Sequence, residues 1–442
     1  MRGLFPKKSV SALAVAMAAC LTVTGYGLTA APAMAAKAKK ANYSKEFVAA
    51  AGPVQEEIAK LEKLKAGGAN QAQLDSAVAA AVPMADAAVA AVAEGNDDDK
   101  MAAGNFLLSL GTINEDNELR KRGVKMMIES GRLDAEKLPA FQFYLGNFAY
   151  ATKDYATAAP ALKAAAEAGF QNDALGPLLV DAYAQAGQEK EGIAAFKQAV
   201  AARKATGASV PGSWFDRATL VAYNGKLGPE AIDVAAMSVA ENPSNTSWLN
   251  AAQMVRTFAG FDVPATLDLF RLMDRSGGLN NDPKFVRPEY KEYIESADPR
   301  RLPGEVVRVI DKGVASGALS LSDTWVAEAR QNAAPRIASD KASLPGEVAG
   351  AKAAGGSKAL NLADAFLSYG DAAQAEDLYK AALASGGADA NMALTRLGIA
   401  QYDQGKYAEA KANFEKVSGM RQPLARLWVI RTSEKMAGAT AG

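Results

Sequence analysis

One feature constrains this chain more than any other. Ala- and Leu-rich segments of about 12–18 residues recur along it, with apolar positions three or four apart and a short polar or Gly break after each. Ala and Leu are strong helix formers, and this spacing places one apolar stripe along each helix. The breaks carry helix stop and start signals. Gly187, Gly370 and Gly405 stand where a helix ends in a left-handed residue. Leu302-Pro303-Gly304-Glu305-Val306, Leu344-Pro345-Gly346-Glu347-Val348 and, more loosely, Leu227-Gly228-Pro229-Glu230-Ala231 read as helix starts. Alternating Val/Ile/Thr runs bounded by hairpin turns are missing from the sequence after residue 35. The expected class is all-α.

The segments repeat with a period. Ala158 and Gly192 lie 34 residues apart in matching contexts, and Ala375 and Ala410 lie 35 apart. The fullest copy reads Leu397-Gly398, Gly405-Lys406-Tyr407-Ala408-Glu409-Ala410, Phe414, with Pro423 after it. At these residues the chain resembles the tetratricopeptide repeat, a helix–turn–helix unit of about 34 residues. The resemblance covers 138–203 and 357–420 and is degenerate over 213–355, where Ala231 and Val306 span two longer units and Val306 and Val348 one. It implies a right-handed α-solenoid of about ten helix pairs. The expected organisation is a leader at 1–35, an N-terminal helical capping region at 36–135, a solenoid at 136–348, an Ala/Gly-rich hinge at 349–357, and a C-terminal repeat pair with a capping helix at 358–442. Arg426, Arg431 and Lys435 on that last helix suit a polar cap.

The leader has the three parts of an export signal: Arg2, Lys7 and Lys8, then an apolar run from Val10 to Val23, then Ala33-Met34-Ala35 as a cleavage site. The run is shorter than a bilayer-spanning helix needs, so no transmembrane segment is expected. The chain is expected in the periplasm or outside the cell after cleavage near Ala35. A competing reading takes Met17-Ala18-Ala19-Cys20 as a lipoprotein signal anchored at Cys20.

Composition removes whole classes of chemistry. The sequence holds no His and a single Cys, Cys20, so His-based nucleophile relays, HExxH zinc sites and disulfide frameworks cannot be built. No cofactor or metal site is expected. Asn96-Asp97-Asp98-Asp99 lacks the ligand spacing of a calcium loop and reads as a helix cap. Basic and acidic residues balance at 49 each, which gives no electrostatic footprint for nucleic acid. Arg120-Lys121-Arg122 and Arg300-Arg301 read as surface charge, and Trp214, Trp248, Trp325 and Trp428 as repeat core.

The resemblance places candidate binding residues. If Leu145-Gly146 is the family's first-helix pair, Phe143, Asn147 and Tyr150 project into the concave groove, followed by Asp181 and Gln185 in the next unit. That groove commonly holds an extended peptide or a partner helix in this family. The alternative for Phe143 and Tyr150 is packing against neighbouring helices. Only Asn147 matches the family's carboxylate-binding clamp. The functional expectation is a non-enzymatic, exported protein-interaction scaffold of the bacterial cell envelope, monomeric, with a protein or peptide partner. Two alternatives stand beside it: a helical toroid that binds or cleaves polysaccharide with paired carboxylates, and a solenoid that self-assembles through its ends.

Overall fold

The computed structural model describes residues 41–92 and 95–440, with side chains to residue 438. The leader, including Cys20 and the site near Ala35, lies outside the described residues. From the N-terminus the helices are α1 (Lys45–Ala66), α2 (Gln71–Ala91), α3 (Asp97–Asn114), α4 (Asn117–Glu129), α5 (Leu138–Ala151), α6 (Tyr155–Glu167) and α7 (Leu175–Gln185). Next come α8 (Glu189–Ala205), α9 (Gly212–Asn224), α10 (Gly228–Glu241), α11 (Asn245–Phe258), α12 (Val263–Ser276), α13 (Pro283–Ala297) and α14 (Pro303–Ala315). The last group is α15 (Thr324–Ala333), α16 (Arg336–Ala354), α17 (Gly356–Ser368), α18 (Ala372–Ser385), α19 (Ala390–Asp403), α20 (Tyr407–Phe414) and α21 (Gln422–Thr440). No strand occurs among the described residues. Among the described residues, successive helices pack as ten hairpins followed by one final helix.

Local chemistry explains the boundaries. Short polar side chains accept hydrogen bonds from the first free backbone N–H groups at many starts, including Ser44, Asn70, Asp154, Asp262, Asp371 and Asp389. Asn96 caps α3, and Asp99 completes a capping box by accepting from the Asn96 N–H. Gly187, Gly370 and Gly405 end their helices with φ of 73°, 81° and 75°. Pro303 opens α14 and Pro229 lies in the first turn of α10. Leu344-Pro345-Gly346 departs from expectation. It lies inside α16 rather than at a start, and its neighbours Ser343 and Asp340 are already helical. The Ala/Gly run stays helical to Ala354, and the chain turns only at Gly355 and Gly356, both at positive φ.

The hairpins close as the repeat resemblance implies. A Cβ at Gly146 would stand 2.5 Å from Leu162 Cγ, and one at Gly398 would stand 2.5 Å from Phe414 Cε1. Only glycine lets the paired helices cross so closely. Ala158, Ala231, Ala375 and Ala410 are fully buried at the equivalent small positions. Three apolar cores follow one another along the chain, centred on α1–α4, on α5–α10 and on α10–α21. Trp214, Trp248 and Trp428 are buried in them, and Trp325 packs at the edge of the last. Among the described residues α2 alone is long and apolar enough to cross a bilayer. Its Leu74, Val78, Ala81, Ala85 and Ala88 face the first core, while Asp75 and Asp86 are exposed.

The C-terminal end corrects a second expectation. α21 is no solvent-facing cap: it returns against α10 and α12, and α19 also meets α12. Arg426 pairs with Asp233 at 2.5 Å, and Arg431 donates to the Arg275 carbonyl at 2.7 Å. Within Ser44–Gly442, which forms one compact unit, the second half of the array thus closes on itself.

Candidate interaction surface

The first helices of three successive hairpins, α5, α7 and α9, share one face. Tyr150 on α5, Asp181 on α7 and Arg217 on α9 come together there. Asp181 and Arg217 form an ion pair, with their side chains 17% and 27% exposed. Partial burial raises the Asp181 carboxyl above the usual range, opposed by Arg217. Tyr150 is raised by burial and by the Asp181 charge, and its ring stands 5.6 Å from that of Tyr155. The three side chains make a small polar constellation that is shielded but reachable.

The other groove candidates fall elsewhere. Phe143 is 1% exposed, and its ring lies 5.2 Å from Phe170. It is therefore a core residue rather than a groove side chain, because the aromatic phase of α5 points toward α6 and the following turn. Asn147 is half-buried and Gln185 is exposed. Arg217 was invisible to the repeat pattern. A different signal marks it: oppositely charged or polar partners recur 36 residues apart across neighbouring hairpins. Examples are Asp181 and Arg217, Lys197 and Asp233, Gln253 and Glu289, Arg256 and Glu292, and Arg287 and Asp323. Partners 33 to 38 residues apart continue through the stretch whose apolar consensus is degenerate.

The basic runs are likewise spent on partners. Lys121 pairs with Glu118 and Asp154, Arg122 pairs with Asp86, and Arg120 lies 5.7 Å over the Phe148 ring. Arg301 reaches Asp364 at 3.1 Å.

A second group of charges sits where the array closes, and it is buried. Asp268 accepts from Arg271 at 2.9 Å, from Arg396 Nε at 3.1 Å and from Arg421 at 2.7 Å. Arg271 also forks onto Glu305 at 2.9 and 2.6 Å, and Arg396 bonds Asp364 at 2.6 Å. Tyr293 donates to Glu305 and Tyr379 to Asp364. Three carboxylates thus balance three guanidinium groups, with bidentate geometry that Lys could not supply. Burial would raise the Asp268 carboxyl, but Arg396, Arg421 and Arg271 outweigh it and bring it down to about 2. Glu305 falls to about 2 in the same way, burial being overcome first by Arg271 and then by Arg308 and Arg275. The surrounding arginines favour the charged forms of Asp268 and Glu305. A carboxylate saturated by guanidinium groups is a poor general acid or base.

Among the described residues no group of acidic side chains is arranged to hold a metal ion. No protein-family model matches the sequence, and no curated protein matches it either. Among solved structures, the TPR domain of P58(IPK) is similar at 12% identity with a TM-score of 0.21, over 87% of this chain and 99% of that one. A human IFIT1 dimer with PPP-AAAA is similar at 14% identity and a TM-score of 0.20, over 72% and 71%. Scores this low carry no weight beside the contacts themselves. Those contacts make the chain an all-α array of helical hairpins.

Proposed function

We propose that this chain is a non-enzymatic protein-interaction scaffold, exported to the bacterial cell envelope, which takes a protein or peptide partner on the face of α5, α7 and α9. The Tyr150–Asp181–Arg217 constellation carries the reading. There three successive first helices bring partly shielded polar side chains onto a common face, in the repeat-to-repeat arrangement that suits an extended chain. The leader pattern at 1–35 supports export, and the mature start is placed at Ala36.

The test is in-cell cross-linking of a C-terminally tagged chain, then purification and mass spectrometry. The expected result is one dominant protein partner, lost from a Tyr150→Ala/Asp181→Ala variant, and a mature N-terminus at Ala36. An unchanged partner set in the variant refutes the face. A lipidated Cys20 at the N-terminus refutes cleavage near Ala35. One observation favours the polysaccharide reading: α10–α21 close on themselves as a ring of helix pairs would. The carboxylates buried at that closure are held by arginines, so cleavage would have to use others. Release of sugar fragments by the purified chain would establish that alternative.

A further inference from the structure

The closure of the array is joined by polar bonds of an unusual kind. Six sets cross it: Asp268 with Arg396, Asp268 with Arg421, Asp233 with Arg426, Arg275 with Asp403, the Arg275 carbonyl with Arg431, and the Pro264 carbonyl with Arg396. Most of these groups hold a second partner on their own side. Asp233 keeps Lys197 at 2.6 Å, and Asp268 keeps Arg271. Arg396 keeps Asp364, Arg431 keeps Glu434 and the Tyr402 hydroxyl, and the Arg275 guanidinium keeps the Arg271 carbonyl. Asp403, Arg421 and Arg426 make their bonds across the seam alone.

This distribution matters because the cost of parting a charged interface lies mainly in stranding desolvated ions. Here parting leaves Asp268–Arg271–Glu305 paired on one side and Asp364–Arg396 paired on the other. Asp403 and Arg426 sit at the lips, and the buried Arg421 would gain water once the seam opened. Helix-hairpin arrays join each unit only to its neighbours, so a small change per unit suffices to part the ends.

We infer that the seam between α10/α12 and α19–α21 is a reversible clasp, which opens and recloses while the hairpins on both sides stay folded. Opening converts the closed half of the array into an open one. It exposes one lip bearing Asp233 and Asp268 and another bearing Arg396, Arg421, Arg426 and Arg431.

The test is single-molecule energy transfer on the full chain with Cys20→Ser, with dyes on cysteines at exposed Ala240 in α10 and exposed Lys435 in α21. In the unaltered clasp, raising NaCl from about 0.05 to 1 M should enlarge a low-transfer population, since salt favours separated charges. Asp403→Arg sets two cations against each other and should enlarge that population about tenfold, roughly what one charge-assisted hydrogen bond supplies. Adding Arg275→Asp to Asp403→Arg should restore the high-transfer state, with helicity by circular dichroism unchanged throughout. A transfer distribution that ignores salt in the parent chain overturns the clasp, whether or not the variant folds. So does a folded Asp403→Arg chain that stays closed, or one that Arg275→Asp fails to reclose.

Discussion

Replacing Asp268 by Asn removes one charge and almost no volume, which isolates the electrostatic role of the buried network. The side chain is fully buried and takes bonds from three arginines at 2.7–3.1 Å. In the parent, Asp268, Glu305 and Asp364 neutralise Arg271, Arg396 and Arg421. The Asn variant leaves three buried guanidinium groups facing two carboxylates, and its amide N–H₂ must point at a guanidinium donor. Uncompensated buried charge costs about 3–5 kcal/mol. In a repeat array this loss falls on the units that share the network rather than on the whole chain. Hydrogen exchange read by mass spectrometry should show protection in α12, α17 and α19 falling by that amount, with α1–α2 and α5–α8 within about 0.5 kcal/mol of the parent. A change below about 1 kcal/mol in α12 and α19 would refute the reasoning, since it would mean that the three arginines are not held by this carboxylate.

Three further outcomes follow from the same geometry. Acid should loosen the C-terminal half of the array within a defined window. Asp268, Glu305 and Glu376 all sit at about 2 in the folded chain, below their unfolded values near 4, so their stabilisation is complete above about pH 4 and drains away toward pH 2. Thermal unfolding followed from pH 7 to 2 should show a flat region above about pH 5 and a steep loss below 4; a loss centred above pH 5 would contradict the assignment. Gly398→Val should destabilise the α19–α20 hairpin by about 1–3 kcal/mol, because even its Cβ would stand 2.5 Å from Phe414; urea unfolding checks it, and a neutral effect would show that the helices separate freely. Phe143→Ala should cost about 3–5 kcal/mol of stability, whereas Asp181→Ala should leave the melting temperature within a degree or two and remove partner capture; the reverse pattern would return Phe143 to the groove.

Much of the fold was legible because it rests on local chemistry. Apolar spacing, capping residues and left-handed glycines act within one helix or one turn, and they placed the helices and their period from sequence alone. Gly146, Gly398, Ala158 and Ala410 carried the hairpin crossing in the same way. Pro345 misled because proline signals a helix start only when nothing upstream is helical, and residues 336–344 are. Glu305 was legible as a helix-start acid but not as the buried partner of Arg271, since that bond spans 34 residues. The closure was beyond reach for a related reason. Asp268 and Arg421 lie 153 residues apart, and Asp233 and Arg426 lie 193 apart. No local pattern encodes such pairings. On the proposed interaction face, the repeat register points to Tyr150 and Asp181, while Arg217 needs the 36-residue charge spacing that lies outside the apolar consensus.

The return of the C-terminal helices onto α10 and α12 is tested most directly by a double-mutant cycle between Asp268 and Arg421. Stability is measured for the parent, Asp268→Ala, Arg421→Ala and the double variant. Residues so far apart in sequence couple only if the array closes as described. A coupling energy above about 1.5 kcal/mol is expected for a buried charge pair in contact. Additive losses, within about 0.5 kcal/mol, would show that the two residues never meet and that the array is open.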